Sequence, residues 1–432
     1  MYRIVRRDHR IPGLSSTAQC VYIDRSVDLP GPGPHRLTPM QPNAPSFLIR
    51  QPIVDRRERL YGFRLSGAAG AVALLRDEIG GTGIRDLVLL VDMRPAQAMN
   101  DWPRDFDRLR WMPLITGNLP ADGDFADQAR TLHRRGVRFS IGDAAPGSPW
   151  LGRLADAHCV RVDVRRVPAA HWARYAAALK RQGPRLIATG LETRAQMQQA
   201  LEAGFDLFEG HWFTRPETYA SRAVAPVYGA VLRALSLVRA EAELRTIEQA
   251  LQADPALAYK LLRYVNSAAF GLRSEIHALR DAVNLLGYRP LARWLGLALV
   301  TARVDAGANA ALALTAITRA RIMERLEQRS GSDSGEAFMA GLFSSMDALL
   351  DMPMQRVIET LAPPPGVAAA LAERGGAWGG MLRLAEACEI EDTGLAATIA
   401  GALDIDAETL ARLHLHALAW AYKLTASEPG GA

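Results

Sequence analysis

Lysine is almost absent from this chain: Lys180, Lys260 and Lys423 are the only ones in 432 residues. The basic side chains are therefore nearly all arginine, and their excess is local. Residues 1–50 hold seven arginines against three aspartates, which is +4 of the formal net charge of +5. The rest of the chain is close to neutral. A neutral body lacks the clustered cations that a phosphate backbone requires, so no nucleic-acid partner is expected. Long apolar runs are also missing. The longest, Leu87–Val91 and Trp294–Val300, fall far short of the ~18 residues that span a bilayer, so no membrane span is expected. The first residues, Met-Tyr-Arg-Ile-Val-Arg-Arg, offer no apolar h-region, which argues against a secretory signal. Cysteine is scarce: Cys20, Cys159 and Cys388 lie far apart, with neither disulfide nor metal spacing. Free thiols in a reducing cytoplasm are the expectation.

Several catalytic motifs are missing as well. The chain has no Gly-Lys-Ser/Thr phosphate loop, no His-Glu-x-x-His zinc motif and no Gly-x-Ser-x-Gly nucleophile elbow. No His-Asp dipeptide occurs. His277 stands alone near a helix start, and His414 and His416 are two residues apart on a helix, so they face different ways and cannot converge on one metal. Gly80-Gly81-Thr82-Gly83 follows a helix-like stretch and reads as a loop.

What is present falls into two halves. Residues 1–46 carry Pro30, Pro32, Pro34, Pro39, Pro42 and Pro45, which interrupt helix and central strand alike, so a flexible Pro/Arg-rich leader is expected, with a weak strand signal at Gln19–Asp24. From Phe47 onward, short apolar runs read as strands at Phe47–Val54, Leu60–Leu65, Leu87–Met93, Trp111–Thr116, Val137–Ile141, Cys159–Val164, Arg185–Thr189 and Leu207–Phe213. Helix-like stretches such as Asp124–Arg135 and Arg194–Ala203 separate them. Strands alternating with helices predict parallel pairing, and eight of them predict a closed barrel. Barrels of this kind take at least about 200 residues, so residues 47–216 predict a reduced one.

Beyond Pro226 the strand signal stops. Asp254-Pro255 is a helix start, since Asp accepts from free backbone N–H groups and Pro at the first position loses no bond. Leu257, Leu261, Leu262 and Val265 then share one helical face. Leu279, Val283 and Leu286 repeat the pattern, Gly287 ends that helix, and Pro290 is placed to start another. Helices continue to Ala426, with breaks expected at Gly331–Gly335, Pro363–Gly366 and Gly375–Gly380. Asn266-Ser267 reads as a helix-ending turn.

Two groups of residues carry a family resemblance. Arg50-Gln51-Pro52-Ile53-Val54-Asp55 with Leu60-Tyr61-Gly62-Phe63, Gly190-Leu191-Glu192-Thr193, Gly204-Phe205-Asp206 and Phe208-Glu209-Gly210-His211-Trp212-Phe213 resemble the two ends of EAL domains, barrels that hydrolyse cyclic di-GMP. Asp254-Pro255-Ala256-Leu257, Leu261-Leu262-Arg263-Tyr264-Val265-Asn266-Ser267 and Leu285-Leu286-Gly287 resemble the HDOD domain, an all-helical signalling module. The fold class implied is multidomain, α/β followed by all-α: a reduced TIM-type (β/α) EAL barrel and then an all-helical HDOD domain. The boundaries expected are a leader at 1–46, a barrel at 47–216, a helical domain at 217–426 and a tail at 427–432.

The resemblance also implies where chemistry should sit. Active EAL domains hold two divalent cations with carboxylates and an asparagine at the C-terminal ends of barrel strands, and hard cations need such clustered oxygens. Here Arg64 stands where the signature glutamate should follow Phe63. Asp92 takes the asparagine position, Met112–Thr116 contains no acid, and the paired aspartates are reduced to Gly142-Asp143. Arg161, ahead of Asp163, replaces the catalytic lysine, Thr189 replaces an acid, Glu192 matches, and Glu209 takes a position that is usually glutamine. Arginine keeps the charge of lysine without being its equivalent as a proton donor. Asp92, Asp143, Asp163 and Glu192 remain the candidate acids of a weak metal cluster.

The reading is a cytoplasmic, bacterial-type signal-transduction protein that is not an enzyme. It would act through protein–protein interaction, with an unknown protein partner bound by the HDOD half and a degenerate EAL scaffold behind it. No catalytic, cofactor-binding or metal residue is assigned, and no cofactor is expected. The alternative is a cyclic di-GMP receptor that binds without hydrolysis, and a less favoured one is a metal-dependent cyclic di-GMP phosphodiesterase. Trp294, Trp378 and Trp420 are probes of that partner surface, since aromatic residues anchor interfaces when exposed and cores when not.

Overall fold

The computed structural model describes residues 47–67, 87–94, 98, 102, 110–116, 124–142, 156–214, 226–267, 270, 272, 274–302, 308–332, 335–390 and 392–426, with the short pairs 4–5 and 22–23. Apart from those two pairs, the expected leader lies outside the described residues. The Gly80–Gly83 loop, Asp143 and the 427–432 tail also lie outside them. Ile4–Val5 pairs antiparallel with Tyr22–Ile23, inside the weak strand signal.

Eight strands close into a barrel: β1 (Ile49–Asp55), β2 (Leu60–Ser66), β3 (Val88–Met93), β4 (Trp111–Ile115), β5 (Ser140–Ile141), β6 (Cys159–Asp163), β7 (Arg185–Leu191) and β8 (Leu207–Gly210). β2 to β8 run parallel, and β1 is reversed, pairing antiparallel with β2 on one side and β8 on the other. Closure leaves no open edge. Crossover helices α1 (Asp124–Arg134), α2 (Trp172–Lys180) and α3 (Arg194–Glu202) precede β5, β7 and β8.

Two expected strands are shorter than predicted. β5 does not begin at Val137, because the Val137 amide donates to Leu132 O at 3.0 Å and finishes the end of α1 instead. β8 stops at Gly210, whose φ of 157° takes the chain out of the ladder, and residues 211–214 form a turn closed by Thr214 N–H to His211 O at 3.0 Å. A Cβ at Gly210 would lie 2.1 Å from the Leu191 carbonyl oxygen. Gly62 is tighter still, since its Cβ would meet Val88 O at 1.9 Å, and only glycine lets β2 approach β3 there.

Alternation along the strands fills the barrel. Ile53, Val88, Leu90, Met112, Leu114, Cys159, Ile187 and Leu207 point inward and form an apolar plug. Their outward neighbours, such as Val54, Phe63, Leu89, Val91 and Phe208, belong to a second cluster that continues without a break into the helical half.

That half contains α4 (Pro226–Arg239), α5 (Leu244–Gln252), α6 (Pro255–Val265), α7 (Leu279–Leu286), α8 (Tyr288–Thr301), α9 (Ala308–Arg329), α10 (Glu336–Phe343), α11 (Met346–Leu350), α12 (Met354–Leu361), α13 (Pro365–Glu373), α14 (Gly376–Ala387), α15 (Thr393–Ala402) and α16 (Ala407–Ala426). Asp254 accepts from the Ala256 and Leu257 amides, as its sequence position predicts. Asn266 ends α6, and its side chain clamps the Ile276 backbone through two 2.8 Å bonds. Pro290 is the third residue of α8 rather than its start. The expected break at Gly375–Gly380 is confined to Gly375, because α14 already begins at Gly376 and buries Gly379, Met381 and Leu382. Among the described residues, no helix is long and apolar enough to cross a membrane.

Candidate functional site at the barrel mouth

Above the apolar plug, the next inward layer is polar. It consists of Arg64 (β2), Asp92 (β3), Arg161 (β6), Thr189 (β7) and Glu209 (β8) on the parallel strands, with Gln51 near the N-terminal end of the reversed strand β1. Arg64 donates to Asp92 Oδ1 through Nε at 2.9 Å and to Oδ2 through Nη2 at 2.5 Å. Its Nη1 reaches Gln51 Oε1 at 3.2 Å and Glu209 Oε1 at 3.3 Å. Arg161 grips both oxygens of Glu209 at 3.0 Å and donates to Thr189 Oγ1 at 2.9 Å. The side chains of Glu209, Arg161, Arg64 and Asp92 are 0%, 3%, 8% and 14% exposed, so this pairing takes place out of water. Burial pushes the Asp92 carboxyl above the usual range, against the pull of Arg64.

The four candidate acids do not come together. Asp92 belongs to Arg64. Asp163 is held by Arg165, from Nε to Oδ1 at 2.8 Å and from Nη2 to Oδ2 at 3.0 Å, and also caps the short helical turn that follows it. Glu192 is 39% exposed and lies 3.8 Å from His211 Nδ1. Asp143 is outside the described residues. Two divalent cations do not fit this layer. Guanidinium groups stand in it, the carboxylates already serve them, and among the described residues no three acids, histidines or cysteines are grouped to hold a metal.

A second buried charge cluster, absent from the sequence reading, joins the two halves. Arg50 on β1 is fully buried, with its guanidinium 5.1 Å above the Phe63 ring. Its Nε donates to His414 Nε2 at 3.1 Å, and Nη2 reaches Glu389 Oε1 at 3.4 Å. Arg319 of α9 holds the same carboxylate by 2.9 Å and 2.6 Å bonds. Burial, with the Arg50 charge beside it, holds His414 well below its ordinary pKa, so it is a neutral acceptor rather than a ligand. The available signal was Arg50 itself, a cation inside the apolar run Phe47–Val54. Cys159 and Cys388 are free and buried, and burial pushes both thiols up to about 12.

Of the two readings open for the tryptophans, the structure favours packing against the core, with Trp378 and Trp420 partly exposed. Trp294 is buried, Trp378 donates to Glu336 at 3.0 Å, and Trp420 packs edge-on against Phe338.

Residues 224–356 match the HDOD domain. The helical half carries an HDOD domain. Cyclic di-GMP phosphodiesterase CdgJ of Vibrio cholerae is 28% identical over 278 residues, which is 63% of this chain and 64% of that protein. The chain thus matches somewhat less than two thirds of that relative's length. YuxH of Bacillus subtilis is 21% identical over 404 residues, 88% of this chain and 98% of YuxH. The barrel resembles EAL domains at a low level. The EAL-like protein YdiV (15% identity, 38% of this chain and 89% of that one) and Klebsiella pneumoniae BlrP1 in its calcium and cyclic di-GMP complex (19%, 41% and 58%) both align with a TM-score of 0.33. The chain thus combines an HDOD domain with a closed barrel, and it is similar to CdgJ, a named cyclic di-GMP phosphodiesterase. That relationship corrects one expectation. The sequence reading of a chain that is not an enzyme is overturned, because a relative matched beyond the HDOD domain is a phosphodiesterase. The HDOD match ends at residue 356, so Glu386, Glu389 and His414 lie past it.

Proposed function

We propose that this protein transmits a signal by binding another protein through the first helices of its HDOD domain. One observation supports the reading. Among the described residues, the large hydrophobic side chains that are more than a third exposed are Val227, Leu244, Tyr259, Leu272 and Leu285, with Tyr259 65% exposed. All of them fall between α4 and α7, and the described residues of the barrel contribute none. Exposed apolar side chains gathered on one part of a surface are a common feature of protein-binding sites. Cross-linking in the source cells with full-length protein tests it. A Tyr259→Ser, Leu285→Ser variant is expected to lose the partners that the unaltered chain captures. Retention of every partner by that variant sinks the reading.

A second reading concerns the barrel and is supported by the relative named a cyclic di-GMP phosphodiesterase. Cyclic di-GMP is then the barrel's ligand or substrate. Calorimetric titration, together with chromatography of the nucleotide after incubation with Mg²⁺ or Mn²⁺, distinguishes binding, turnover and neither.

A further inference from the structure

At the seam between β1 and β8, pairing runs through Ile53–Asp55 and Leu207–Glu209 and stops there, before the mouth. The end of α14 continues the bonding. Arg50 N–H donates to Cys388 O at 2.8 Å, and His211 Nε2 donates to Glu389 O at 3.0 Å. Both acceptors are carbonyls just past a helix C-terminus, where such groups lack intrahelical partners and the helix dipole favours nearby cations. The Glu389 side chain then ties the same point to Arg50 and Arg319. A backbone bond that a neighbouring strand would otherwise supply therefore comes from the helical half.

The residues that hold this helix end are next to those that build the polar layer of the mouth. Arg50 precedes Gln51, which accepts from Arg64. His211 follows Glu209 by two residues, and Glu209 takes both mouth arginines. Between them, Gly210 sits against the Leu191 carbonyl with no space for a side chain. We propose that Cys388–Glu389 is a coupling wedge: its seating between β1 and β8 and the charge pairing inside the barrel mouth form one cooperative unit. Drawing Arg161 or Arg64 away from Glu209 loosens the wedge, and loosening the wedge frees the mouth, as reciprocal linkage requires. The proposal is independent of the partner surface around Tyr259 and of what the mouth binds.

Amide hydrogen exchange on the full-length chain tests it. Thr189→Val removes an acceptor of Arg161 at nearly constant volume, and Glu209→Gln weakens both pairs. In each, exchange is expected to rise about fivefold or more over residues 386–390, on the helical side, in addition to any rise at Arg50 in the barrel itself. In the converse variant, Glu389→Gln, the same rise is expected over residues 207–214. Peptides of α6, far from the seam, serve as the reference and should stay unchanged. A rise confined to the half that carries the substitution, or one spread uniformly through α6 as well, overturns the proposal.

Discussion

Arg161 and Glu209 stand on strands that are not neighbours, with β7 between them, and still share two bonds of 3.0 Å in the barrel mouth. Glu209 also accepts from Arg64, so one fully buried carboxylate holds arginines from both sides of the barrel. Such a group is costly to bury alone and stable only while its cations remain.

Removing a cation therefore costs more than removing the pair. Arg161→Met is expected to destabilise the protein by about 3 kcal/mol, the low end for breaking a buried ion pair, because Arg64 still serves Glu209. Adding Glu209→Leu should recover much of that loss. Urea denaturation of the single and double variants checks the order. A double variant less stable than the single one contradicts this account.

Gly62 offers a steric test. Gly62→Ala drives a methyl group to within 1.9 Å of the Val88 carbonyl oxygen, which is backbone and cannot swing aside. A loss of about 1–3 kcal/mol, the usual cost of overpacking, is expected from the shift in denaturation midpoint. An unchanged midpoint would mean that β2 and β3 are not so close.

His211 links stability to pH. Burial lowers its pKa, but the Glu192 carboxylate, the Glu389 carbonyl and the charge of Glu389 outweigh burial and leave it raised. The folded state thus binds a proton that the unfolded chain releases near pH 6.5. The contribution is complete below that value and is lost as pH rises through the folded pKa. His211→Gln should therefore cost most at pH 6 and least at pH 9. A cost that does not vary with pH refutes the linkage.

A fragment beginning near Ala225 is expected to fold as an all-helical unit, since Arg319 keeps both bonds to Glu389 without the barrel. Its thermal midpoint should fall below that of the whole chain, because the apolar cluster running on to the barrel is cut. Circular dichroism measures both. A disordered spectrum would show that the helices need the barrel to form.

Much of the fold was legible in the sequence because its signals are local. Eight apolar runs of strand length marked the eight strands, and Asp254-Pro255 and Gly287 marked helix ends, since capping and backbone conformation depend on neighbours a few residues away. Misjudged boundaries followed where a local signal met a competing bond, as at Val137, whose amide finishes a helix rather than a ladder.

The sequence by itself determined which residue types face the barrel mouth: Arg64 and Arg161 stand where the resemblance calls for a glutamate and a lysine. It could not determine what they do there. Arg64 and Glu209 are 145 residues apart, and Arg50 and His414 are 364 apart. No periodicity spans such distances. Only closure of the barrel, and the seating of a helix end where its seam pairing stops, brought those charges together out of water, where each needs the other.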